Sequence, residues 1–187
     1  MKRRELLALL GSGASASVLS LLSPTERLEL GKRVHRRLRG TAAAESPRAL
    51  DSTQHQLVST IADLILPRTD TPGATDVGVP QFIDLLLAEW YTAEERGDFL
   101  AGLSDLEERC RRRYGAPFAE LSEERRVELL RALDGKPGEK RTAEQSFGRL
   151  KSLTLYGYFT SEPVMKEVLK SPVIPGRYSG CFPLGQS

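Results

Sequence analysis

The residues that could do chemistry are few and scattered. His35 and His55 are the two histidines of the chain, and Cys110 and Cys181 its two cysteines. No HExxH, CxxC, CxxCH, GxSxG or GxxxxGK[ST] occurs. The sequence therefore offers no metalloprotease helix, haem c attachment, nucleophile elbow or phosphate cradle. His35 has no second ligand at helical spacing, and His55 stands at the exposed start of a helix, off its apolar stripe. The acidic pairs Glu94-Glu95, Glu107-Glu108 and Glu123-Glu124 fall at helix starts or on polar faces, where capping and solubility explain them. Asp70 and Asp76 could bind a cation, and each is equally suited to closing its own turn. Gly11-Ser12-Gly13-Ala14-Ser15-Ala16 satisfies a GxGxxA fingerprint, but no buried strand precedes it and no strand–helix alternation follows. With no nucleophile, base or cofactor cradle, these residues do not describe a stand-alone enzyme.

Composition sets the frame in which such residues would be held. A chain of 187 residues with 40% apolar content suits one domain around one core. A net charge of +2 does not by itself imply a polyanion partner, and 6% aromatics leave little for base stacking. Two cysteines allow one bridge at most.

The first residues, MKRRELLALLGSGASASVLSLLS, read as an export signal: a basic start at Lys2, Arg3 and Arg4, then a moderately apolar run too short and too diluted for a permanent anchor. Adjacent arginines before Glu5, Leu6 and Leu7 resemble a twin-arginine signal, with Lys2 where Ser or Thr is usual. Cleavage candidates are Ala14-Ser15-Ala16 and Ala42-Ala43-Ala44, the latter releasing a chain from Glu45. Residues 1–44 are thus expected to be signal, basic pre-sequence helix and linker, and residues 45–187 the domain proper. The pre-sequence helix opens on a Ser23-Pro24-Thr25-Glu26 capping box. Its basic run from Lys32 to Arg39 reads as a solvated face, and nucleic-acid binding is not expected.

The remainder predicts an all-α fold: a single small domain of about six helices with an ordered Pro/Gly-rich loop and an extended C-terminal tail. Asp51 caps a helix with Leu57, Ile61, Leu64 and Ile65 on one stripe. Pro67, Pro72, Gly73, Gly78 and Pro80 then hold an ordered loop, and Pro80 opens a helix with Ile83, Leu86, Leu87 and Trp90 on a face. Thr92 and Glu95 begin the next, in which Phe99, Leu103, Leu106, Cys110 and Tyr114 recur at helical spacing, making Cys110 a small core residue. Ser122 caps a helix carrying Val127, Leu130 and Leu133. Thr142 starts another, with Phe147, Leu150 and Thr154 inward, that ends at Tyr156 or Gly157. A short helix follows Ser161 and Pro163, and the tail from Ser171 has no helix of its own.

Three separated stretches carry a family likeness. Thr69 to Asp84 (TDTPGATDVGVPQFID), Leu153 to Glu162 (LTLYGYFTSE) and Pro175 to Cys181 (PGRYSGC) together resemble the gluconate 2-dehydrogenase subunit 3 family, over roughly Asp51 to Pro183. The resemblance implies a non-catalytic helical subunit, exported to the periplasm or the outer face of the cytoplasmic membrane. Its implied partners are a large FAD-containing flavoprotein of the glucose-methanol-choline class and a cytochrome c subunit carrying haem c. The large subunit would oxidise a sugar, sugar acid or alcohol, and the small one would bind it, assist its folding and carry it through the twin-arginine pathway. This chain would hold no cofactor or metal and meet the membrane through its partners or an uncleaved signal. Carried over by position, the partner-binding candidates are Thr69, Asp70, Thr71, Pro72 and Gly73; Tyr156, Gly157, Tyr158, Phe159 and Thr160; and Pro175, Gly176, Arg177 and Tyr178. Tyr and Arg are enriched in interface hot spots. The competing expectation is a free-standing exported helical protein whose aromatic segment lines a small-molecule pocket.

Overall fold

A computed structural model describes residues 22–40, 49–134 and 142–170. They are helical: α1 Pro24–Gly40, α2 Ser52–Ile65, α3 Val79–Glu89, α4 Ala93–Tyr114, α5 Glu123–Leu133 and α6 Thr142–Phe159. A 3-10 turn, Phe118–Glu120, joins α4 to α5, and a π turn, Val164–Val168, follows α6. No strand occurs among the described residues.

The start signals act as their chemistry requires. Ser23 Oγ accepts from the Glu26 amide while the Glu26 carboxylate accepts from Ser23 N at 3.0 Å. Reciprocal pairs of the same kind begin α2 at Asp51 and Gln54 and α4 at Thr92 and Glu95. Each satisfies amides that would otherwise lack a partner, worth about 1 kcal/mol per cap. Ser122 occupies the position before α5 but makes no side-chain cap bond there. Helix α4 ends where Gly115 turns left-handed at φ 75°, a conformation that costs glycine little.

Helices α3 and α6 form the centre. Phe82, Ile83, Leu85, Leu86 and Leu87 are all buried, so α3 is apolar around most of its girth, as a helix covered on several sides must be. It packs against α1, α2 and α6, and α6 in turn packs most extensively along α4, with α2 and α5 beside it. Two stripes differ from expectation. On α2 the inward set is Leu57, Val58, Ile61 and Ala62, with Leu64 and Ile65 half-buried but still packed against the core. On α5 Leu129 joins Leu130 and Leu133, leaving Val127 half-buried. Cys110 is fully buried and its thiol is pushed up to about 11, first by desolvation and then by Glu107, which suits a core residue. Among the described residues no helix is long and apolar enough to cross a membrane.

Helix α6 runs to Phe159, past the expected stop at Tyr156 or Gly157. Gly157 does not break it; the glycine lets two helices meet. A Cβ there would lie 2.8 Å from Phe82 Cδ1, inside contact distance. The expected helix after Pro163 is instead the π turn, closed by Leu169 N donating to Val164 O at 2.9 Å.

Candidate functional site

The Pro/Gly-rich loop is built from its own side chains. Asp76 Oδ2 accepts from Gly73 N and from Arg68 Nε, both at 2.8 Å. These bonds, the one from Gly73 foremost, hold the Asp76 carboxyl below its ordinary range. Asp63 on α2 takes the Thr75 amide at 3.1 Å and its hydroxyl at 2.8 Å, and Ala74 N donates to Leu66 O at 2.9 Å. A Cβ on Gly73 would lie 2.8 Å from Arg68 N, so the turn closes only around glycine. Asp76 thus closes a turn, and Asp70 takes the Thr69 hydroxyl at 2.9 Å. No group of three metal-ligating side chains occurs among the described residues.

The aromatic segment at the end of α6 reaches out to other backbones. Tyr158 OH donates to Pro72 O at 2.8 Å, tying the loop to the helix. Tyr156 OH donates to Arg27 O on α1, and desolvation pushes its phenol up to about 12. Thr160 Oγ1 donates back to Tyr156 O at 2.7 Å and packs against Gly31 of α1. On the same side His35 is bonded to Gly157 O at 2.9 Å and stacks on Phe82 with ring centroids 4.7 Å apart.

The candidate residues therefore divide. Gly73, Gly157, Tyr158 and Thr160 are buried, and Thr71, Pro72 and Tyr156 half-buried. Thr69, Asp70 and Phe159 are exposed, and Phe159 stands edge-on to Tyr158 with centroids 5.3 Å apart. Leu155, one turn before Phe159 on α6, is also exposed, and together they form an apolar step on one face of the helix, next in sequence to Tyr158, which anchors the loop. Phe159 is 43% exposed and Leu155 36%; with Leu169 at 48% they are the exposed large apolar side chains among the described residues, whose other aromatics are buried or half-buried. Pro175, Gly176, Arg177, Tyr178 and Cys181 lie outside the described residues, as do the signal and both cleavage candidates.

Sequence reasoning passed over two residues that organise this face. Asp84, buried on α3, accepts from Ala49 N at 2.8 Å and Leu50 N at 2.9 Å and so fixes the approach to α2. A lone carboxylate in the run FIDLLL was the available signal, since a buried charge needs strong partners. His35 lacks a second ligand at helical spacing, and the stripe of Leu30, Val34 and Leu38 turns it inward. The acidic pairs serve structure: Glu95 caps α4, Glu107 accepts from Phe118 N at 3.2 Å, and Glu108 pairs with Arg112. An open depression of about 420 Å³ lies on α5, lined by Glu123, Glu124, Val127, Glu128 and Arg131, away from the aromatic segment in sequence and in lining.

Neither a curated protein nor a solved structure matches the chain. The family model described as gluconate 2-dehydrogenase subunit 3 matches residues 52–176, which takes in the loop, all of α2 to α6 and the anchoring tyrosines. With that match over most of its length, the chain belongs to the gluconate 2-dehydrogenase subunit 3 family.

Proposed function

We propose that this chain is the non-catalytic small subunit of a dehydrogenase complex. It binds a large FAD-containing flavoprotein of the glucose-methanol-choline class, helps it fold and is exported with it to the periplasmic side of the membrane. FAD, and haem c where a cytochrome subunit joins, belong to the partners. Supporting this, the family is named for a subunit of a dehydrogenase. The observation that carries the reading is the Leu155–Phe159 step: two large apolar side chains left exposed one turn apart at the end of a helix that is otherwise bonded into place. Burying a side chain of this size on a partner is worth about 1.5–3 kcal/mol, and aromatic anchors with a polar rim are the usual core of an interface.

Space beside Tyr156 is filled by Phe82, His35 and the Arg27 carbonyl, which favours a docking face over a small-molecule pocket. Co-expression of the full chain with the flavoprotein encoded beside it, followed by affinity purification, tests the reading. A flavin-absorbing protein should co-purify; recovery of the chain as a free monomer in every such preparation would end it.

A further inference from the structure

Helix α1 lies outside the residues that match the family, yet it is joined to the matched body at every turn. Val34 has no exposed surface and Leu30 is 8% exposed. A Cβ on Gly31 would lie 2.7 Å from the Thr160 side chain, so α1 approaches the end of α6 as closely as a glycine permits. His35 covers one face of Phe82 and holds Gly157 O, Tyr156 OH holds Arg27 O, and Arg37 pairs with Glu89 on α3 at 2.8 Å. The helix also carries its own start, the Ser23–Glu26 capping box, and needs nothing upstream to begin.

We infer that α1 is a permanent part of the folded subunit, so that proteolytic maturation of this chain leaves a start at or before Ser23 and spares Ala42-Ala43-Ala44. A cut after Ala44 would sever α1 from α2. The contacts of α1 would then become bimolecular and lose the effective concentration, of millimolar order, that a short tether provides. Once α1 departed, Phe82 would lose its stacking partner, and the Gly157 carbonyl and the Tyr156 hydroxyl would lose the partners they have in α1. Uncovered polar and aromatic groups of this kind are costly to leave unmatched. The inference concerns the chain's own fold and does not depend on which partner it serves. One consequence is that the exposed Arg33 and Arg36 belong to the mature surface.

The test is intact mass and N-terminal sequencing of the full chain, C-terminally tagged and isolated from the membrane and periplasm of its native host. A start at or before Ser23, the uncut chain included, upholds the inference. A start anywhere from Pro24 to Asp51 overturns it, whether or not α1 co-purifies as a separate peptide. Two variants of the full chain give a second reading. Val34→Ala should lower the melting midpoint by about 4–8 °C, whereas Arg33→Ala on the exposed face should shift it by no more than about 1 °C. Equal midpoints would show that α1 does not contribute to the fold.

Discussion

The two ends of α6 solve different problems. Its first three turns do ordinary helix packing: Ala143, Phe147, Leu150 and Leu153 go inward, and Glu144 meets Arg109 of α4 at 2.8 Å. That pair, with Asp105 on the other side of the guanidinium, raises the Arg109 pKa and links two helices at a partly exposed site, where such bonds add little stability. The last turn and a half works through backbone carbonyls. Tyr156, Tyr158 and His35 each bond a main-chain oxygen of another element, and Gly157 admits Phe82. One end is interchangeable hydrophobic surface; the other is a set of singular fits. The second kind tolerates substitution poorly, and it leaves Phe159 as the one exposed position from Tyr156 to Thr160, with Tyr156 half-buried.

Paired glycine substitutions give the sharpest contrast. Gly157→Val should cost about 2–3 kcal/mol, because its side chain must displace the Phe82 ring. Gly148→Ala, on the open side of the first half where nothing lies within 4 Å, should stabilise by about 0.5–1 kcal/mol through helix propensity alone. Denaturant unfolding measures both, and equal effects would erase the distinction. Tyr158→Phe removes the bond to Pro72 O and should cost about 1 kcal/mol, with faster amide exchange confined to the loop from Thr69 to Asp76.

Replacing Thr154 by Val should have the opposite sign. Its hydroxyl is buried on α6 with no partner, so an apolar group of the same shape should raise stability by roughly 1 kcal/mol in the same unfolding assay.

Acid gives the smallest effect, restricted to the loop. Because the folded Asp76 carboxyl sits below its ordinary range, its contribution is present above the unfolded value and fades as pH falls through the folded one, below about pH 4. The protection factor of the Gly73 amide, its exchange relative to the intrinsic rate at each pH, should fall in that window. Asp76→Asn, which keeps an acceptor but cannot titrate, should flatten the profile.

The contrast also explains what was legible in the sequence. Periodicity and capping residues gave the helices: Asp51, Thr92 and Ser23 start them as their types demand. The loop's internal order was readable from Gly73 and Asp76, since few other residues can close such a turn. The end of α6 is hidden from the sequence because Gly157 reads locally as a breaker, and only the distant Phe82 reveals its use. The inward turn of His35 was hidden for the same reason: its partner Gly157 lies far along the chain. Motif resemblance picked out the segment from Tyr156 to Thr160 but could not separate Tyr158, which holds the loop, from Phe159, which faces outward. That separation needs the helix's rotation, which only packing sets.

The proposed docking face stands or falls on Phe159. The decisive measurement is co-purification of the flavoprotein with the full chain carrying Phe159→Asp, alongside its melting midpoint. Partner recovery should fall at least about tenfold while the midpoint stays within about 2 °C of the parent, as expected of a surface anchor. Undiminished recovery of the flavoprotein with a folded Phe159→Asp chain would contradict the account.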